Sequence, residues 1–195
     1  MLIHAPDSAA PERAKYAAIW SGVPDYKNYS PGLENVDRFM SVLSPSPQST
    51  LLDVGCGAGV AGLDFEKRGL RVWWLDITDA GLEPEVDRNR FIESPIWSSA
   101  WTRHRPMGFD FGFCCDVMEH IPPEYTLLCI DRILNACRTV WFQIALTPDE
   151  FGHRIGQPLH LTVQPYAWWL SRIASLGKVI DARDLCGTGL YVVSR

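Results

Sequence analysis

Apolar and polar residues alternate along the chain in short blocks that predict both strands and helices. Compact apolar runs, typical of buried strands, occupy residues 50–54, 71–75, 91–97, 109–115, 139–146, 178–182 and 190–194. Apolar residues recur at helical spacing between these runs, over residues 60–68, 123–137 and 164–176. Strands that alternate with helices predict an α/β fold, with a seven-stranded, mostly parallel sheet and helices on both faces.

The part of the chain before the first strand has a different pattern. Two helices are predicted there, over residues 10–21 and 33–43, and a segment rich in proline and glycine between them is predicted to be a loop. No shift in composition and no internal repeat divides the chain. We therefore expect a single domain, with an N-terminal helical part, a central core and a closing part at residues 1–45, 49–146 and 147–195.

Composition narrows the class of protein further. The 195 residues are 47% hydrophobic and 21% charged, which is typical of a folded globular chain. Eighteen Lys and Arg against 23 Asp and Glu give a net charge of -5, so binding of nucleic acid by bulk charge is not expected. The apolar runs are far shorter than the roughly 20 residues that span a membrane, and the first residues lack the pattern of a signal peptide. The sequence predicts a cytoplasmic protein without membrane contact.

The six cysteines do not form a recognisable ligand pattern. No Cys-x-x-Cys pair is present, so a structural metal site is not expected. We expect buried, reduced thiols, because free cysteine prefers protein cores.

The most informative segment is LLDVGCGAGVAG, residues 51–62, in which glycines follow a buried strand and precede a helix. Backbone amides at a helix N-terminus bind polar groups, and glycines let a ligand approach the chain closely. Gly57, Gly59 and Gly62 match the dinucleotide-binding pattern G-x-G-x-x-G. Asp76, 19 residues after Gly57, stands where that pattern has its ribose-binding acid.

A second interpretation of the same loop starts two residues before its first glycine. Asp53, Gly55, Gly57 and Gly59 spell D-x-G-x-G-x-G. A carboxylate at Asp53 would repel a pyrophosphate, whereas it would attract a ligand that carries an ammonium and a sulfonium group. No lysine or arginine lies between residues 51 and 66, and no G-K-[ST] follows, so a nucleoside triphosphate is disfavoured. The loop therefore favours a cationic nucleoside.

Three segments resemble the class I S-adenosylmethionine-dependent methyltransferases. LLDVGCGAG is similar to their first motif, RVWWLDIT at residues 71–78 to the second, and FDFGFCCDVMEHIPPE at residues 109–124 to the motif of the fourth strand. The last segment is typical of the small-molecule, type 11/12-like branch. The resemblance covers residues 49–146 and implies a Rossmann-like fold, S-adenosylmethionine as cofactor and S-adenosylhomocysteine as product.

The resemblance also implies which residues hold the cofactor. Asp76 takes the position that binds both ribose hydroxyls, and Asp116 follows the fourth strand, where ligands bind in open α/β sheets. The family commonly has an acid after the third strand to hold adenine. Here Ser94 aligns with it, which leaves Ser94, Ile96 and Trp97 as candidates. The complete implied set is Asp53, Gly55, Cys56, Gly57, Gly59, Asp76, Ile77, Ser94, Asp116 and Val117.

Two histidines are candidates for the general base that a neutral amine or hydroxyl acceptor requires. His160 lies in a predicted loop after the fifth strand. His120 is equally compatible with a packing role, as is its neighbour Glu119. The segment at residues 16–32, with aromatic Trp20, Tyr26 and Tyr29, is expected to close over the cofactor as a lid.

The acceptor itself is only partly constrained. Residues 121–124 read Ile-Pro-Pro-Glu, which fails the D/N-P-P-Y/F pattern of amino-methylating nucleic-acid enzymes, and no cysteine follows a proline as in cytosine-C5 enzymes. A small molecule or an exposed N or O acceptor is favoured, and a modified nucleotide stays open. Two other functions also stay open: a regulatory protein that binds the cofactor without methyl transfer, and an NAD-linked oxidoreductase.

Overall fold

The computed structural model describes residues 9–28, 30–104 and 107–195. Its helices are α1 Ala10–Gly22, α2 Pro31–Leu43, α3 Val60–Lys67, α4 Thr126–Ala136 and α5 Tyr166–Ala174. Its strands are β1 Thr50–Val54, β2 Arg71–Asp76, β3 Phe91–Glu93, β4 Phe109–Cys115, β5 Cys137–Ala145, β6 Lys178–Asp184 and β7 Thr188–Ser194. Short 3₁₀ helices cover Pro24–Asn28, Trp101–His104, Met118–His120, Pro123–Tyr125 and Gly152–Ile155.

The seven strands form one sheet in the order β3-β2-β1-β4-β5-β7-β6. All neighbours from β3 to β5 are parallel, and β7 runs antiparallel between β5 and β6. The predicted seven-stranded, mostly parallel α/β sheet is therefore confirmed. The chain order reverses between β1 and β4, which is the place where open sheets of this kind bind ligands, outside the carboxyl ends of the strands.

Both faces of the sheet are covered, which explains why its central strands are apolar without alternation. β1 is buried along its whole length. One apolar cluster lies under α2 and α3 and includes Phe39, Phe65 and Trp74. A second lies under α4 and α5 and includes Ile130 and Trp169. The two cores hold β1, β2 and β4 rigidly, so the loops at their carboxyl ends have a fixed base.

Proline accounts for several of the boundaries that differ from the prediction. The third strand ends at Glu93 instead of residue 97, because the chain turns away at Pro95, which has no amide hydrogen to donate. The helix predicted from residue 123 begins as a 3₁₀ turn, and α4 starts at Thr126. The predicted loop at residues 22–32 contains a 3₁₀ helix, and α2 starts at Pro31 because Ser30 caps it.

Two other predictions concern the burial of the cysteines and the presence of membrane-spanning helices. Cys114, Cys129 and Cys137 are buried as predicted, but Cys186 is exposed, because it lies in the turn between the two closing strands. In the described part of the chain, no helix has the length and apolar character required to cross a bilayer.

Candidate active site

Two adjoining clefts open where β1, β2 and β4 end. The larger has a cavity volume of about 470 Å³, within the range of roughly 300–1,000 Å³ that is usual for small-molecule sites. The smaller cleft lies beside it, toward the ends of β2 and β3. Both are lined by Trp20, Tyr26, Gly55, Gly57, Asp116 and His120.

The glycine loop between β1 and α3 is closely packed against the side chains of Val117 and Trp74. Gly55 has a φ of 67°, and a Cβ atom there would lie 2.5 Å from the side chain of Val117. Gly62, in the first turn of α3, has its Cα so near Trp74 that an added Cβ would lie 2.1 Å from the indole nitrogen. Glycine is therefore required at both positions, and the loop is held against the ends of β2 and β4.

Asp76, at the end of β2, faces the smaller cleft beside this loop. Its Oδ2 accepts a hydrogen bond from the Gly57 amide at 2.8 Å, and its Oδ1 accepts one from the Thr78 amide at 3.3 Å. Desolvation raises the pKa of Asp76 to about 6, although these backbone hydrogen bonds oppose the shift. Ile77 lines the same cleft, and its carbonyl accepts a hydrogen bond from Arg13 of α1 at 2.9 Å.

Asp53, at the end of β1, lines the larger cleft. Its Oδ2 accepts a hydrogen bond from the Gly62 amide at 3.1 Å, so it also fixes the start of α3. Burial raises the pKa of Asp53 to about 7, and the negative charge of Asp76 adds to the shift. Cys56 lines this cleft too, and desolvation raises the pKa of its thiol. A cationic ligand would stabilise the ionised forms of Asp53 and Asp76.

The far wall of the smaller cleft is apolar. Pro95, Ile96, Trp97, Val117 and Ile121 line it, and the ring of Trp97 stacks on Tyr125 with 5.3 Å between centroids. Such a wall suits a flat heterocycle. Ser94 is buried behind it, with its hydroxyl donating to the Pro95 carbonyl at 3.3 Å, and it does not line either cleft.

Asp116 stands where the two clefts meet. It has a φ of 52°, in a region that residues other than glycine seldom occupy. Its amide donates to the Gln143 carbonyl at 2.9 Å, and the Gln143 side chain donates to its Oδ1 at 3.4 Å. Desolvation raises the pKa of Asp116, while the nearby His160 lowers it. β5 thus holds the carboxylate at the mouth of both clefts.

The two candidate histidines lie together although 40 residues separate them. Their rings are perpendicular, with centroids 4.7 Å apart. His120 Nδ1 lies 2.9 Å from the Tyr16 hydroxyl and 3.1 Å from the Leu159 carbonyl, and desolvation lowers the pKa of His120 to about 3. His160 Nδ1 lies 2.6 Å from the Thr147 carbonyl. Because a carbonyl only accepts, His160 donates from Nδ1, which leaves its Nε2 free to accept.

Glu119 lies beneath these histidines and is completely buried. Its Oε1 accepts a hydrogen bond from the Ala145 amide at 2.8 Å, while Oε2 has no hydrogen-bond partner among the described residues. Its carbonyl accepts hydrogen bonds from the amides of Leu161 and Thr162, so Glu119 anchors the loop that carries His160. Potential metal-ligating atoms of Glu119, His120 and His160 lie within 4.8 Å of one another. The sequence did not predict this juxtaposition, and its expectation of no metal stays a prediction.

The N-terminal segment covers the glycine loop. Trp20 packs so tightly on Gly57 and Gly81 that added Cβ atoms there would lie 3.0 and 2.3 Å from its ring. Tyr26 contacts Trp20 and also Phe151 edge to face, at 4.8 and 5.5 Å between centroids. Tyr29, which was also predicted to belong to the lid, lies outside the described residues.

Tyr16 begins the predicted lid segment, but its contact with the site was not predicted from the sequence. It lines the smaller cleft and contacts His120, which lies 104 residues away in the chain. One signal was available, because Tyr16 and Trp20 are four residues apart and therefore lie on the same face of α1. The neighbouring Glu12 lines the same cleft for the same reason.

Four features together define the class I S-adenosylmethionine-dependent methyltransferase fold. They are the strand order, the glycine loop after β1, the acid at the end of β2 and the Asp-Val-Met-Glu-His segment after β4. Comparison with solved structures supports this fold. A 1,6-didemethyltoxoflavin-N1-methyltransferase of Burkholderia thailandensis, solved with 1,6-didemethyltoxoflavin and S-adenosylhomocysteine bound, superposes with a TM-score of 0.71 at 16% identity, covering 96% of this chain and 88% of that one. A TehB-like methyltransferase of Corynebacterium glutamicum gives 0.62 at 14% identity, covering 95% and 99%.

Sequence comparison also finds similarity to methyltransferases. A ubiquinone biosynthesis O-methyltransferase of Nitrosomonas europaea is 28% identical over 118 residues, which cover 56% of this chain and 48% of that protein. The chain spans about half the length of the curated relatives it matches. No family model matches it.

Proposed function

We propose that the protein is an S-adenosylmethionine-dependent methyltransferase that acts on a small-molecule N or O acceptor. The observation that carries the proposal is the pair of carboxylates at the ends of β1 and β2. Asp53 and Asp76 flank a glycine loop, with an apolar wall opposite Asp76. The curated relatives named as O-methyltransferases, and the structural neighbour solved with S-adenosylhomocysteine, support it.

The residues present fit the cofactor in charge and in polarity. Asp76 would bind the ribose hydroxyls, because its partly desolvated carboxylate lies at the end of β2 beside the Gly57 amide. Ile96, Trp97 and Val117 would contact the adenine. Asp53, with Gly55, Cys56 and Gly59 of the same loop, would face the amino acid end. Bound there, the cofactor supplies an activated methyl group.

The chain's own residues would orient the acceptor and take up its proton. His160 is the better candidate base, because only Thr147 engages its Nδ1 and the Glu119-anchored loop fixes its position, whereas Tyr16 and Leu159 both engage Nδ1 of His120. His120 is engaged by Tyr16 and Leu159 and strongly desolvated, which suits a positioning role. Proton transfer to a positioned histidine contributes roughly 10²–10⁴-fold to the rates of such reactions.

Trp20, Tyr26 and Phe151 would exclude water from the reacting atoms, in line with the predicted lid. The proposal takes residues 1–195 as one methyltransferase domain, with the acceptor on the side of residues 147–195. A cytoplasmic location and a modified nucleotide as an alternative acceptor both stay predictions.

Incubation of the protein with methyl-labelled S-adenosylmethionine and pools of metabolites, nucleotides and proteins tests the proposal. We expect label to be transferred to a small molecule, and Asp76→Ala to abolish the transfer at limiting cofactor. Cofactor binding without transfer to any pool would instead support a regulatory protein. Binding of NAD in preference to S-adenosylhomocysteine would support an oxidoreductase.

A further inference from the structure

The two histidines at the larger cleft share one hydrogen-bonding pattern. Nδ1 of His160 lies 2.6 Å from the carbonyl oxygen of Thr147. Nδ1 of His120 lies 3.1 Å from the carbonyl oxygen of Leu159, and the Tyr16 hydroxyl beside it can accept as well as donate. A carbonyl oxygen only accepts, so donation from Nδ1 leaves Nε2 of each ring unprotonated. Metal-ligating histidines almost always donate their other ring N–H in this way.

The two rings and the Glu119 side chain converge on one point. The rings are perpendicular, with centroids 4.7 Å apart, and one potential ligand atom from each of the three residues lies within 4.8 Å of the other two. Ligand atoms bound to one zinc ion lie about 3–3.5 Å apart, since each bond is about 2.0–2.2 Å long. Modest rotations of the side chains would therefore close the group around an ion.

The buried carboxyl group of Glu119 is an independent observation. Its Oε1 accepts a hydrogen bond from the Ala145 amide, whereas Oε2 is buried without a partner among the described residues. Without an ion, burial and the charge of Asp116 raise the pKa of Glu119, which favours the protonated form. Oε2 is then a donor, and it lacks a partner in that form too. A metal ion would satisfy this atom and would favour the ionised carboxylate.

The donor set indicates the class of ion. One carboxylate and two imidazoles suit divalent transition metals such as zinc. Three protein ligands leave a fourth position for water or another molecule, as in catalytic zinc sites. His120 and His160 line the larger cleft, while Glu119 lines neither cleft, so an ion would enter from the larger one. Among the described residues that line this cleft, no lysine or arginine would repel it.

We infer that Glu119, His120 and His160 form a binding site for one divalent transition-metal ion, and that zinc fits it. The inference goes beyond the proposed methyl transfer and does not rest on it, and it opposes the expectation from the sequence that no metal binds. The ion would occupy the ring nitrogen of His160 that could otherwise accept a proton. Metal-loaded and metal-free protein should therefore differ in methyl transfer.

Zinc binding by the whole chain, without cofactor or acceptor, tests the site. The protein is treated with a chelator, dialysed against zinc and then against buffer, and its zinc content is measured by atomic absorption. We expect one zinc ion per chain. A wild type that retains no zinc would overturn the inference while leaving the proposed methyltransferase function untouched.

Variants of the ligands show whether the zinc lies at this site. We expect His160→Ala and Glu119→Gln to bind zinc at least roughly 10- to 100-fold more weakly, because changes to residues that merely support a ligand already cost that much. His153→Ala, at an exposed histidine of the same loop, is the matched control and should bind like the wild type. Wild-type zinc affinity in both ligand variants, as for zinc held by cysteines, would contradict the assignment.

Folding of the variants is checked by urea denaturation without zinc. Glu119→Gln keeps an oxygen that can accept from the Ala145 amide, and His160 is only half-buried. We expect His160→Ala to remain folded, so its zinc affinity decides the question even if Glu119→Gln is unstable.

Discussion

The sides of the clefts proposed to hold the cofactor and the acceptor are built in different ways. On the cofactor side, Asp53, the glycine loop and Asp76 lie within 24 residues of one another and are joined by short-range hydrogen bonds. On the acceptor side, Tyr16, His120 and Leu159 come from distant parts of the chain. The first region is encoded in one contiguous motif, and the second depends on the correct packing of α1 and the loop after β5.

This difference explains how the two regions can vary separately. A fixed cofactor loop on rigid parallel strands can serve many acceptors if only the covering segments change. The Nitrosomonas europaea relative matches 56% of this chain at 28% identity, while the two solved structures named above share the fold at 16% and 14% identity. Variants that affect one region and spare the other test the division.

The largest effect is expected from His160→Ala, on the acceptor side. Removal of the proposed base should lower kcat by roughly 10²–10⁴-fold while S-adenosylhomocysteine binding is retained. Single-turnover kinetics with the isolated acceptor and calorimetry measure the two quantities. His104→Ala, at an exposed histidine outside both clefts, is the control. Full activity in His160→Ala would show that His160 is not the general base.

The stability of the protein should depend on the close packing of the glycine loop against Val117. Gly55 and Gly69 both have positive φ, but a Cβ atom would clash with Val117 only at Gly55, since nothing lies within 4 Å at Gly69. We expect Gly55→Ala to lower the unfolding free energy by about 2–4 kcal/mol and Gly69→Ala by about 1 kcal/mol. Urea denaturation provides the comparison, and equal losses would show that the close contact with Val117 is unimportant.

The pH dependence of cofactor affinity should depend on Asp53. Its pKa is raised to about 7, so the carboxyl group is protonated in the free protein below that pH. A bound ammonium favours the ionised form, so binding releases a proton and affinity rises with pH, at most tenfold per pH unit for one group. In Asp53→Asn, the rise near pH 7 should disappear. Calorimetry at pH 5.5–8 would contradict this if both proteins showed the same slope.

The smallest effect is expected where the lid meets the acceptor side. Asp25 forms an exposed ion pair with Arg154, with 3.0 Å between the charged atoms. Such pairs contribute about 0.2–1 kcal/mol, so Asp25→Asn should lower the unfolding free energy by no more than that. A clearly larger loss in thermal or urea denaturation would mean that this contact holds the N-terminal segment in place.

The same contrast determines what could be predicted from the sequence. β1 and β4 were predicted with their observed bounds, because continuous apolar runs between glycine and polar turns have few alternatives. The contacts of Asp53 and Asp76 with the glycine loop lie within one strand-loop-helix-strand unit, so their spacing in the sequence reflects them, while the cofactor roles of Asp53, Gly57 and Asp76 stay predictions.

What could not be predicted depends on long-range packing. Nothing in the local sequence around Tyr16 indicates a partner at His120, and the contact between His120 and His160 depends on how the loop after β5 returns over β4. Ser94 was assigned from an alignment position. Its buried side chain points to the Pro95 carbonyl, because the chain turns at Pro95 and brings Ile96 and Trp97 to the cleft.

The most direct test of the central claim is the binding of S-adenosylhomocysteine by wild type and Asp76→Ala, measured by titration calorimetry. We expect the wild type to bind, and Asp76→Ala to bind roughly 10- to 100-fold more weakly, because two ribose hydroxyls lose a charged acceptor. Asp79→Ala, at an exposed acid three residues further on, should bind like the wild type. Unchanged affinity in Asp76→Ala, or a wild type that prefers NAD, would contradict the account.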